Sequence, residues 1–175
     1  MSDNGRISLL FLFNLILYFL VGEANNSLSA LNVSLHLDVL FVLFFGLYIG
    51  RSIGLLYTLL FGFLTNASHP VPVGTYLVGY LFLWMFLVWS QHRIRRQNSR
   101  HVRSIATIAQ VLLIICLSLF LGRQSLGSGS FWQRTFFDLM SSALVVYFLA
   151  WPWCRFQHRM LHSMGWNLDA QLTHR

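Results

Sequence analysis

Lysine is missing from this chain: the twelve basic residues are all arginine, and they face only five acids. Charged residues make up 10% of the 175 positions, where soluble domains carry about a quarter. Hydrophobic residues make up 56%, more than a soluble domain of this length can hide. With only three prolines to interrupt them, the apolar residues gather in long blocks. A helix needs roughly 17–25 apolar residues to cross the ~30 Å hydrocarbon layer of a bilayer. The two cysteines, Cys116 and Cys154, fall at helical depths that differ by ~18 Å at 1.5 Å per residue. A disulfide requires Cα atoms within about 7 Å, so both are expected as free thiols. There is room for one compact unit and none for a separate soluble module.

Six apolar segments are legible: Ile7–Gly22, Leu35–Ile49, Ile53–Ala67, Val73–Ser90, Ser104–Gly122 and Phe136–Cys154. Pro70 and Pro72 lack backbone donors and block helix continuation, which makes the break between the third and fourth segments firm. The break at Gly50-Arg51-Ser52 is weaker, and a single bent helix from Leu35 to Ala67 competes with it. The expected fold is an all-α integral membrane protein with about six transmembrane helices in residues 1–154. A basic amphipathic cytoplasmic tail is expected over 155–175, with Gly165 breaking its helix.

Arginine placement orients the spans. Arg93, Arg95, Arg96, Arg100 and Arg103 crowd the segment Gln91–Arg103, which the positive-inside rule assigns to the cytoplasm. Counting spans outward then brings Arg6, Arg51, Arg155, Arg159 and Arg175 to the same side, and leaves only Arg123 and Arg134 outside. Both termini are expected in the cytoplasm. The same arginines suit anionic headgroups, whereas nucleic acid is disfavoured because they lie between apolar blocks. A rival reading takes Arg6 and the run to Val21 as a secretory signal cleaved near Gly22-Glu23-Ala24, which would leave five spans.

Few residues offer chemistry. Asp38 admits three readings: an interfacial carboxylate favoured by a helix N-terminus, a structural polar contact inside the bundle, or part of a proton or ion relay. Thr135 and Asp138 match a capping pattern before an apolar run. His158 and His162 share a helix face but lack a third ligand, so a basic tail is the better reading. Gly46, Gly50, Gly54 and Gly62 sit at small-residue spacing that lets helices approach closely, here between the second and third segments. No nucleophile–base pair or phosphate loop is present in sequence, and no cofactor or enzymatic activity is expected.

Two stretches carry a resemblance. One runs from Asp38 through Gly54, Gly62 and Asn66 to Gly74; the other is Trp151-Pro152-Trp153 before the basic tail. Together they resemble the rod shape-determining protein MreD family of bacteria. This chain departs from the family pattern at Leu37, where a proline is usual, and at Asn66, where an aspartate is frequent. The resemblance implies an inner-membrane, non-enzymatic subunit of the cell-wall elongation machinery. Its partners would be membrane lipid, an MreC-like protein and the other elongation proteins that assemble for peptidoglycan synthesis. It also implies a fold similar to the S-component of energy-coupling-factor vitamin transporters, whose substrate-binding role is the alternative function. Such subunits commonly space alanines by four on the first helix; Ile7–Gly22 has none.

Overall fold

The computed structural model describes residues 3–28, 34–49, 51–69, 72, 74–91, 99–121 and 128–165. They form six helices: α1 (Asp3–Leu28), α2 (Asp38–Tyr48), α3 (Arg51–Ser68), α4 (Thr75–Gln91), α5 (Ser99–Leu121) and α6 (Gly129–Ser163). Three stretches, Gly5–Leu28, Ser99–Phe120 and Gly129–Ser163, are long and apolar enough to cross a membrane. The outer surface carries large apolar side chains such as Phe63, Phe120 and Phe148, each at least 60% exposed. A water-facing surface would not hold so many; hydrocarbon accepts them.

Helix α2 is the centre of the molecule. It has 11 residues, ten of them buried, and only Tyr48 is half-exposed. A helix that is apolar on every side belongs in a core. At 1.5 Å per residue it rises only about 16 Å, half a hydrocarbon layer. The chain turns at Ile49, whose extended backbone (ψ 159°) ends α2, and returns as α3. This replaces the single bent helix considered above. Antiparallel stacking follows down the hairpin, with Phe45 on Tyr57 at 5.0 Å and Phe41 on Phe61 at 5.5 Å.

Glycines set the separations. A Cβ on Gly54 would lie 2.8 Å from the Phe45 carbonyl oxygen, so the α2 and α3 backbones touch there. A Cβ on Gly62 would lie 3.2 Å from both Leu77 and Tyr80 of α4. Gly46 does the same service against Leu87. Gly50 lies outside the described residues.

Helix α6 differs most from expectation. It begins at Gly129 and runs 35 residues, through Pro152 and past Cys154, to Ser163. Asp138 therefore lies well inside the helix and is no cap. Trp151-Pro152-Trp153 does not close the last span, and no helix boundary separates residues 1–154 from the tail. The reason is packing: Asp138, Ser142, Val146, Ala150, Cys154, Gln157 and Leu161 form one buried stripe. Gln157 and Leu161 thus belong to the bundle. The helix ends where Gly165 adopts φ +76°, a left-handed conformation suited to glycine, and Gly165 N–H bonds the His162 carbonyl at 2.9 Å.

Candidate functional site

The segment before α2 is the unusual part of the structure. Residues 34–37 are not helical, yet they are half-buried or buried. Backbone groups at such a depth need partners, because each unmet one costs several kcal/mol in an apolar medium. Side chains from three other helices provide them. Ser34 N–H donates to Asp138 Oδ1 at 2.9 Å, and His36 N–H to Ser142 Oγ at 2.9 Å. Leu35 exchanges two bonds with the Asn25 amide, at 2.8 and 2.9 Å. Val39 N–H, in the first turn of α2, donates to Gln110 Oε1 at 3.2 Å. Asp138 is thus an acceptor for a neighbouring strand of backbone, with Arg134 Nε 3.9 Å from its other oxygen.

Asp38 opens α2 and is 7% exposed. Tyr80 of α4 donates its hydroxyl to Asp38 Oδ1 at 2.9 Å. Thr65 of α3 lies 3.2 Å from the same hydroxyl; because the Tyr80 proton is committed to the carboxylate, Thr65 is the donor in that pair. His36 Nδ1 stands 3.9 Å from Asp38 Oδ2, beyond hydrogen-bond reach. Asp38 thus starts a helix and is fixed by a polar contact within the bundle. Below it, His69 Nδ1 lies 3.0 Å from the Thr65 carbonyl, which can only accept, so the proton is on Nδ1.

These groups border a cleft of about 410 Å³ at the end of the bundle where α1 and α3 finish and α2 begins. Tyr18, Phe19 and Phe41 provide aromatic wall; Glu23, His36, Asp38, Thr65 and His69 provide polar lining. Ser34 and Ser68 add two hydroxyls to that lining. The chain matches none of the known protein-family models, curated proteins or solved structures with which it was compared.

The residues marked from sequence fall in distinct places. Asp38, Gly54, Gly62, Asn66 and Gly74 gather in the α2–α3–α4 unit. Asn66 Oδ1 accepts the N–H of Gly74 at 3.1 Å, and Gly74 has φ +93°, so this pair forms the turn into α4. Trp153 reaches α1, donating its indole N–H to Asn14 Oδ1 at 3.3 Å; Trp151 packs on the core and Pro152 is exposed. Arg93, Arg95 and Arg96 lie outside the described residues. Arg100 and Arg103 are in the first turns of α5, with the Arg103 guanidinium 5.7 Å above the Tyr147 ring. Arg155 and Arg159 project from the exposed face of α6.

Sequence reasoning passed over Tyr80, Gln110, Ser142 and Asn14. Asn14 is fully buried and accepts from both Trp153 and Gln157, the latter at 2.9 Å, which ties α1 to α6. Gln110 and Asn14 each interrupt an otherwise apolar block, and such isolated polar residues were the available signal.

Proposed function

We propose that this protein is a non-enzymatic membrane subunit of the bacterial cell-wall elongation machinery, of the MreD type, that helps determine cell shape by binding an MreC-like partner. In this reading the chain sits in the inner membrane with six spans and both termini in the cytoplasm. The observation that carries it is convergence: Asp38, Gly54, Gly62, Asn66 and Gly74, which bear the resemblance, form one tightly packed α2–α3–α4 unit. The partner would cover apolar surface on helices α1 to α4, where Leu20, Leu56, Phe63 and Phe82 are each more than half exposed. In lipid such a contact gains from close packing, not from apolar burial alone.

Depletion in a rod-shaped host tests the proposal. Cells should become round, and the protein drawn from mild detergent should bring an MreC-like chain with it. Cells that keep their shape but lose uptake of a vitamin would assign the chain to the energy-coupling-factor transporters instead.

A further inference from the structure

The charge of the cleft is opposite to that of the protein. The chain carries a formal +7, with twelve arginines against five acids, yet two of those five acids, Glu23 and Asp38, line this one cavity. Among the described residues no arginine lines it. Asp38 is the more telling of the two. It is more than nine-tenths buried, one of its oxygens is held by Tyr80, among the described residues the other has no hydrogen bond and stands 3.9 Å from the His36 imidazole, and the residue borders the cleft. A buried carboxylate with a spare oxygen facing a cavity is an acceptor waiting for a donor or a cation.

The walls narrow the choice. Tyr18 and Phe41 meet edge to face at 5.6 Å in the lining; Phe41 is stacked on Phe61, so Tyr18 is the ring that can meet an organic cation. Among the described residues no three His, Cys, Asp or Glu side chains gather closely enough to hold a metal ion. The volume, about 410 Å³, lies in the range of small-molecule clefts, roughly 300–1,000 Å³.

We propose that the cleft between the ends of α1 and α3 and the start of α2 binds a small organic cation, an ammonium or guanidinium compound, with Asp38 and Glu23 as its counter-charges and Tyr18 as its aromatic wall. The site is independent of the cell-shape reading, since it lies within this chain and needs no partner.

Titration calorimetry of the whole protein in phosphatidylcholine nanodiscs tests this, with agmatine, butylamine and tetramethylammonium as probes and butyrate at equal ionic strength as the control. At least one cation should bind saturably and butyrate should not. Glu23→Gln should weaken that binding about fivefold, as for a partly exposed charge pair. Asp38→Asn keeps an acceptor for Tyr80, and should weaken binding about thirtyfold or more, as for a buried one. If Asp38→Asn does not fold, Tyr18→Leu replaces it and should also weaken binding. Absence of saturable binding by all three cations overturns the proposal. So does binding that Glu23→Gln and the second variant both leave unchanged.

Discussion

Tyr80 and Asp38 stand 42 positions apart in the chain and 2.9 Å apart in space, phenol to carboxylate, in a site closed to solvent on the tyrosine side. This bond pins the first residue of the buried helix to α4 and, through Thr65, to α3. Removing the phenol leaves Asp38 Oδ1 without its donor. Tyr80→Phe should therefore destabilise the protein by about 1–3 kcal/mol. Thermal unfolding in detergent would show a lowered midpoint. Asp38→Asn should cost less than Asp38→Leu, because the amide oxygen still accepts. Equal midpoints for Tyr80→Phe and the parent would refute the assignment.

The glycine contacts predict an order. Gly54→Ala forces a methyl against the Phe45 carbonyl, which is backbone and cannot swing away. Its cost should be about 1–3 kcal/mol, as for overpacking. Gly62→Ala should cost less than Gly54→Ala, and Gly22→Ala, with open space around it, should be close to neutral. Leucine at 54 or 62 should separate the helices and abolish co-purification of a partner. The order is read from the same unfolding experiment, and a Gly22 variant as damaged as Gly54 would contradict it.

Ser142→Ala removes the acceptor for His36 N–H without altering the shape of α6. A loss of about 0.5–1.5 kcal/mol is expected, the net worth of one hydrogen bond. Hydrogen exchange should accelerate at His36 in particular. Unchanged exchange there would show that the segment finds another partner.

Topology gives a direct test. Reporter fusions within residues 92–98 and after Arg175 should both read cytoplasmic. An external reading at either position would sink the six-span arrangement.

The parts of this fold that were legible in sequence are those set by local chemistry. Pro70 and Pro72 mark the α3–α4 break, and the glycine spacing indicates the close approach of α2 and α3 found at Gly54, whereas Gly46 and Gly62 meet α4 instead. The buried character of α2 was not legible. A helix apolar all round has no period that separates a core position from a lipid-facing one. Nor was the length of α6. Pro152 and Arg155 look like the end of a span, but Gln157 and Leu161 find partners on the other helices and the helix continues. Pairings such as Tyr80 with Asp38, or Gln110 with Val39, are tertiary facts that no local pattern encodes. The same holds for Asp138, whose partner is a backbone amide 104 positions away rather than the start of its own helix.

The segment ahead of α2 also bears on how the protein is made. Ser34, His36 and Val39 leave the ribosome long before the side chains that will accept hydrogen bonds from their amides, which follow 104, 106 and 71 positions later. Synthesis runs from the N-terminus, so the central helix must wait with its donors unmet until α5 and α6 arrive. We expect nascent chains arrested before Asp138 to remain open to proteases at residues 34–40, and chains released after Ser163 to resist them. Assembly of the core would then be a late event, timed by the last helix to emerge.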